Sequence, residues 1–170
     1  MLDIAEKYFG FVSENGKIES LCEDAYDFVN KSKDKFDLII MDINYSEEDK
    51  NISPPWKFLE SDFLQKLCDL GSESCLVALN ILYYSADAKK RVFDNILSLK
   101  NLDKKCMFET SENNKVFFLS KGANINLEDV PENVKSLENM LKAWKNQNKG
   151  LWLKEMSMAE HIKDFKAVIN

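Results

Sequence analysis

The sequence predicts an α/β fold: a sheet of parallel strands that ends in an antiparallel hairpin, with helices on both faces. Residues 36–42 and 75–82 are short, almost continuously apolar runs, which is typical of strands buried on both faces. Segments with helical spacing precede, separate and follow these runs. Two more strand patterns then follow each other with only a short polar turn between them, as in an antiparallel pair.

The first part of the chain is predicted to form two helices around a short strand. The first helix would end at Gly10, a residue type that often closes helices. Its apolar face would consist of Leu2, Ala5, Tyr8 and Phe9. A short strand is predicted over residues 17–21, and a helix over residues 25–30 with Asp24 as its N-cap.

The middle of the chain predicts two helices that flank the second apolar strand. Ser61 and Asp62 stand at the start of the first helix, and Gly71 lies just past its end. Ser85 and Asp87 suit the start of the second helix. The two apolar stripes consist of Phe63, Leu64, Leu67 and Leu70, and of Val92, Phe93, Ile96 and Leu99.

The last third of the chain is predicted to be a hairpin followed by a helical tail. The hairpin strands would span residues 105–110 and 116–120, and residues 122–129 would form a linker. Residues 129–132 and 157–160 carry helix-start patterns, the second of them a capping box. The tail helix between them would bury Val134, Leu137, Leu141 and Trp144.

The length and composition are those of one globular domain. We predict a single domain over residues 1–170, with an α/β core over 1–122 and a helical C-terminal extension over 123–170. The net charge of -6 argues against non-specific binding to nucleic acid, although it would suit a basic protein or peptide partner. No leader or membrane-spanning pattern is present in the sequence, so we expect a cytoplasmic protein.

The cysteine and histidine pattern argues against a metal site. The four cysteines form no C-x-x-C pair, and His161, in a helical pattern near the end of the chain, is the single histidine of the sequence. We therefore expect free thiols in a reducing compartment and no metal. For His161 we expect a surface or packing role.

Asp42 is the first candidate site residue that the pattern itself provides. It follows the apolar run 36–41 directly and precedes a polar loop over residues 43–56. In open α/β sheets, ligands bind beyond the carboxyl ends of the strands, which is where Asp42 is placed. From this motif alone, Asp42 could equally only terminate the strand and turn the chain.

The chain also resembles a known enzyme family. The likeness is carried by residues 1–11, 36–42, 52–55, 63–66, 79–80 and 137–168. Together with the final strand pair, these segments resemble class I S-adenosylmethionine-dependent methyltransferases of the spermidine-synthase-like branch. Within that branch, they are most similar to the C-terminal domain of enzymes that methylate elongation factor 1-alpha. The resemblance implies a partial Rossmann-like methyltransferase sheet, S-adenosylmethionine as cofactor and a protein amine as methyl acceptor.

The resemblance assigns roles to particular residues. Asp24 and Ala25 match the positions that contact the adenine of the cofactor, although Asp24 could also be only a helix cap. Asp42 matches the acidic position beside the transferred methyl group, where it would orient or deprotonate an amine. The substrate-mouth candidates are Tyr45, Pro54, Pro55 and Trp56. For these four, an ordinary rigid loop packed by aromatic residues is an equally good interpretation.

The departure from the family pattern is in the cofactor site. None of the five glycines forms a G-x-G motif, and Met1 aligns after the acid that binds the ribose. On this alignment we expect the first strand of the family sheet to be missing, so that strand 36–42 would expose an apolar edge. We expect self-association through this edge. We also expect the chain alone to bind cofactor weakly and to be inactive or nearly so.

Three functions remain open at this point. The first is the C-terminal part of a protein methyltransferase that acts on a lysine or N-terminal amine. The second is an inactive methyltransferase-like remnant that serves as an interaction module. The third is an aminopropyltransferase, which is less favoured because Tyr45 occupies the position of a second carboxylate in the polyamine enzymes. The genomic sequence upstream of Met1 would discriminate the first two.

Overall fold

The computed structural model describes residues 2–10, 18–44, 52–109, 114–122, 136, 139–140 and 165–166. The chain divides into two compact units, Met1–Ser32 and Lys33–Asn170. The first unit contains helices α1 (Leu2–Phe9) and α2 (Ala25–Lys31). The Asp24 carboxylate accepts a 2.7 Å hydrogen bond from the backbone N–H of Tyr26, which confirms the predicted N-cap of α2.

Two expectations for the first unit are corrected. Residues 18–21, the described part of the strand predicted over 17–21, are neither helix nor strand. The physical reason is that a strand needs a hydrogen-bonded neighbour, and no described strand pairs with this segment. Tyr8, predicted on the packed face of α1, is 67% exposed.

The second unit is built on one sheet. Its strands are β1 (Phe36–Met41), β2 (Ile52–Ser53), β3 (Gly71–Tyr83), β4 (Lys104–Glu109), β5 (Asn114–Lys121) and β6 (Phe165–Lys166). The order is β1-β3-β5-β4-β6, and β2 pairs with β3. The β1–β3 pair is parallel, whereas β3–β5 and β4–β5 are antiparallel, which confirms the predicted parallel strands and the terminal hairpin.

Two helices pack on one face of this sheet. A 3-10 turn, η1 (Trp56–Phe58), leads into α3 (Ser61–Asp69), and α4 (Ala86–Ser98) follows β3. Phe93 of α4 packs edge-to-face on Phe117 of β5, with ring centroids 5.4 Å apart. The residues of β3 on this face are buried: Cys75, Val77, Leu79, Ile81 and Tyr83. The alternate residues Leu76, Ala78, Asn80 and Leu82 are half-buried.

The helix boundaries follow from local chemistry. The Ser85 hydroxyl accepts a 3.1 Å hydrogen bond from the N–H of Ala88, as predicted for the N-cap of α4. Lys105 of β4 donates hydrogen bonds to the carbonyls of Leu97 and Leu99 at 2.8 and 2.9 Å. These bonds satisfy carbonyls that the end of α4 leaves unpaired.

Strand β1 differs from the expectation of burial on both faces. Leu38 and Ile40 are 56% and 67% exposed, while Met41 on the other face is buried. Among the described strands, β1 pairs only with β3, so one of its edges has no described partner. The apolar run thus predicted the strand correctly but not its surroundings, because α3 and α4 cover only the face that Met41 shares with β3.

The described parts of the tail are short. Ser136, Asn139 and Met140 are helical, and β6 pairs antiparallel with β4. This pairing was not predicted, because residues 165–166 follow a helix-start pattern. The linker, both helix-start patterns and His161 lie outside the described residues. No described helix is long and apolar enough to cross a membrane.

Candidate functional site

A polar pair lies at the carboxyl end of β1. The parallel register aligns Met41 with Leu79, which places Asp42 beside Asn80 of β3. The amide Nδ2 of Asn80 donates a 2.9 Å hydrogen bond to Oδ1 of Asp42. Asp42 is exposed.

The orientation of the Asn80 amide follows from this bond. An ionised carboxylate only accepts hydrogen bonds, so the NH2 group of Asn80 has to face Asp42. The amide oxygen then points elsewhere. Asn80 Oδ1 is buried and has no hydrogen-bond partner among the described residues. A buried acceptor without a partner is costly, and such groups in native proteins often mark a ligand or water position.

A cavity of about 400 Å3 opens in front of the pair. It is lined by Asp42, Ile43, Asn44, Ser53, Asn80, Leu82, Tyr84 and Asn114. Strand β2 closes one side, because Ser53 pairs with Leu82 and its hydroxyl donates a 3.2 Å hydrogen bond to the carbonyl of Ile43. Asp42 is the one charged residue among the described lining residues, so the cavity suits a cationic or hydrogen-bond-donating group better than an anion.

Pro54, Pro55 and Trp56, three of the candidate mouth residues, are not among the described lining residues of the cavity. Pro54 follows Ser53 through a cis peptide bond and is buried, and Pro55 is half-buried. Trp56 stacks under the guanidinium of Arg91, with 4.1 Å between the Arg91 Cζ and the ring centroid. Arg91 in turn forms an ion pair with Glu60. Tyr45 lies outside the described residues, so the mouth assignment stays a prediction.

Asp24 and Ala25 belong to the first compact unit, and Asp42 belongs to the second. Asp24 is exposed and caps α2, and Ala25 is the first residue of that helix. Their role toward a cofactor remains a prediction. Among the described residues, no group of three or more histidine, cysteine, aspartate or glutamate side chains could hold a metal ion.

Sequence reasoning gave Asn80 no role in the site, and it missed Ser53, Tyr84 and Asn114. Asn80 did carry a signal, since asparagine is depleted in strands and here interrupts an apolar strand near its carboxyl end. The sequence contains no such signal for the other three residues, because their position at the cavity depends on how β2 and β5 align with β3.

The fold is similar to that of a known methyltransferase. A crystal structure of human methyltransferase-like protein 13 in complex with SAH matches this chain with a TM-score of 0.71 at 18% sequence identity. The match covers 94% of this chain and 72% of that chain. No model of a protein family matches the sequence, and neither does any curated protein. The structural likeness establishes the fold, which is that of class I S-adenosylmethionine-dependent methyltransferases.

Proposed function

We propose that this chain is a methyltransferase domain that presents a protein amine to S-adenosylmethionine. The observation that carries the proposal is the Asp42–Asn80 pair, which opens into a cavity with no cationic residue among its described lining. The fold supports the proposal, because the solved structure that it resembles holds SAH. A cytoplasmic location, with the cysteines reduced, accords with the free thiols of the chain.

The chemistry that these residues support is the positioning of a nucleophile. When bound, S-adenosylmethionine supplies an electrophilic methyl group. The amine nitrogen would form the new N–C bond as the C–S bond of the cofactor breaks, with S-adenosylhomocysteine as the leaving group. Asp42 would orient the amine and take up its proton or pass it to solvent. Asn80 would hold the Asp42 carboxylate in place, and most of the rate gain would come from orientation.

The cofactor fit is partial in this chain. Asp24 and Ala25 would hold the adenine end, through a carboxylate and a backbone N–H. The 170 residues contain no G-x-G motif for the methionine end. We therefore expect weak cofactor binding by this chain alone, and slow methyl transfer or none.

A protein acceptor agrees with the acidic character of the chain. The net charge of -6 would attract a basic segment of a partner. Elongation factor 1-alpha is the acceptor that the sequence resemblance implies, and it is the first to test. Radiolabelled S-adenosylmethionine would reveal methyl transfer to it, and the Asp42→Asn variant should reduce that transfer.

The cofactor role is tested by titrating S-adenosylhomocysteine and following backbone amide resonances. We expect millimolar affinity, with the resonances of Ala25 and Tyr26 among those that shift. The matched variant is Asp24→Ser, because serine caps a helix as well as aspartate does but carries no carboxylate. This variant should keep α2 folded and lose the shifts.

Two outcomes would contradict this account. Unchanged spectra at the highest soluble ligand concentration would refute cofactor binding. Equal affinity of the wild type and Asp24→Ser would reduce Asp24 to a helix cap.

The second candidate function is an interaction module without catalysis. It is favoured by the exposed apolar side chains of β1, Leu38 and Ile40, and by the lack of a G-x-G motif. The same titration separates the two functions, because an interaction module needs no response to S-adenosylhomocysteine.

A further inference from the structure

We propose that the second face of the sheet, opposite α3 and α4, is a docking surface for a segment of this same chain, residues 129–144. The apolar stripe of that segment would pack over β5 and β4. The inference goes beyond the proposed function, because it does not depend on methyl transfer. Over these two strands and the adjoining part of β3, the second face consists of Ala78, Cys106, Phe108, Val116 and Phe118.

The second face is covered even though α3 and α4 do not reach it. Phe118 aligns with Ala78 on one side and with Cys106 on the other, so these three residues share a face. The neighbouring Phe117 faces α4 instead, where it contacts Phe93. Cys106 is nevertheless only 4% exposed. Because this burial arises within one copy of the chain, it favours a cover that the chain itself supplies.

The strand directions show which part of the chain crosses this face. Strands β5 and β6 are both antiparallel to β4, so they are parallel to each other. Residues 122–164 therefore connect two parallel strands of one sheet, and this connection is long enough for a crossover. The connection from β1 to β3 is also a crossover between parallel strands, and its helix α3 lies on the first face.

Handedness then assigns the second crossover to the second face. Crossovers between parallel strands of one sheet are right-handed in about 98% of cases. Both connections advance in the same direction across the order β1-β3-β5-β4-β6. However, β5 runs opposite to β3, and hence opposite to β1. Reversing the strand while keeping the direction of advance moves a right-handed crossover to the other side of the sheet. Since the first crossover lies with α3, the second has to pass over the second face.

The described residues of the segment fit this arrangement. The apolar stripe recurs at intervals of three and four residues, which places its four members on one side of a helix. Ser136, Asn139 and Met140, which lie between them in sequence, are helical and exposed. By the helical period, Ser136 and Asn139 lie on the side away from the stripe. A helix with one exposed polar side and one apolar side is the expected partner of an apolar sheet face.

The direct test uses the full 170-residue wild type and measures nuclear Overhauser effects. We expect contacts from the methyl groups of Leu137 and Leu141 to the ring of Phe118, and none to the ring of Phe93 on the first face. A sample that mixes differently labelled copies separates contacts within one chain from contacts between two. We expect all of these contacts within one chain.

A second test uses two buried thiols on opposite faces as reporters. Cys106 lies on the second face, whereas Cys75 lies on the face that α4 covers, and both are buried. Aspartates at two stripe positions, Leu137→Asp with Leu141→Asp, should undock the segment, because unpaired charges are costly to bury. We expect iodoacetamide to modify Cys106 at least about tenfold faster than in the wild type, with Cys75 unchanged.

The matched control adds the same two charges to the exposed side of the same helix. Ser136→Asp with Asn139→Asp should leave the labelling of Cys106 as slow as in the wild type. Equal acceleration in the control variant would show that charge on the helix, and not loss of docking, opens the second face. Simultaneous labelling of Cys75 and Cys106 would report general unfolding, and the wild-type contacts would then decide.

The wild-type contacts can overturn the inference in several ways. Contacts from the stripe to Phe93 or to α4 would mean a crossover on the first face. Contacts from Phe118 to residues 2–31 would make the first compact unit the occupant, and contacts between differently labelled copies would make it a second copy. An absence of contacts between Phe118 and the stripe would likewise refute the docking.

Discussion

The four cysteines differ in burial, and this difference sets their reactivity. Burial raises the pKa of Cys68 to about 12, with a smaller contribution from the charge of Asp69. Burial also raises the pKa of Cys75 and of Cys106. Cys22 is exposed. Because the thiolate is the reactive form, we expect iodoacetamide at pH 8 to modify Cys22 quickly and the other three only after unfolding.

Mass spectrometry of intact and digested protein would measure this prediction. The Cys22→Ser variant should contain no rapidly modified thiol in the folded state. Rapid labelling of Cys68 without denaturant would show that its surroundings open readily, contrary to its burial at 3% exposure.

The candidate site shows how far single residues can be predicted. The position of Asp42 could be predicted from the sequence, because a carboxylate after an apolar strand has a defined position in an α/β sheet. Asn80 lies 38 residues further along the chain, and its contact with Asp42 exists only in one parallel register. A shift of that register by one residue would move Asn80 to the other face. Such a register is a property of the folded sheet.

At the scale of elements, non-local pairing explains where prediction fell short. Strand β3 begins at Gly71. The sequence predicted a start at residue 75, because residues 71–74 are poor strand formers by propensity. Pairing overrides propensity there: Gly71 pairs with Phe36, and the Ser72 hydroxyl donates a 2.6 Å hydrogen bond to Asp37. The two-residue strand β6 likewise exists only through its pairing with β4.

Gly122 closes β5 at a position that tolerates no side chain. Its φ is +64°, and an added Cβ would lie 1.8 Å from the carbonyl oxygen of Glu73. Gly122→Ala should therefore lower the free energy of unfolding by more than about 2 kcal/mol, from left-handed strain plus a backbone clash. Urea unfolding would measure this as a lower midpoint with an unchanged slope.

Asn101→Ala is the matched control for that variant. Asn101 also has a positive φ, of 58°, and is exposed, so this substitution tests backbone strain without the clash. We expect a loss of about 1 kcal/mol or less. If Gly122→Ala proved equally mild, the backbone near Glu73 would have to move aside easily.

For the whole molecule, alternation of elements was sufficient to predict the fold class. The β1-β3-β5-β4 order could not be obtained from alternation alone, because β5 inserts between β3 and β4. The division into units at Ser32 and Lys33 was not predicted, since no change in composition marks it.

The exposed side of β1 leads to a prediction about association. Leu38 and Ile40 are 56% and 67% exposed, and one edge of the strand has no described partner. An apolar strand edge of this kind is a template for pairing with another chain. Two copies related by a two-fold axis could pair their β1 strands antiparallel. We therefore expect a concentration-dependent dimer in sedimentation velocity experiments.

The Ile40→Lys variant tests whether β1 forms that interface. A lysine on an edge strand opposes pairing, through its charge and the cost of burying it, so the variant should remain monomeric. Leu97→Lys is the control, because Leu97 is 45% exposed on α4 and should not affect dimerisation. A wild type that stays monomeric at high concentration would refute the association. A Leu97→Lys variant that dissociates the dimer as well as Ile40→Lys does would place the interface elsewhere than β1. Dimerisation lost only in Ile40→Lys would identify β1 as the contact and account for an apolar strand at the sheet edge.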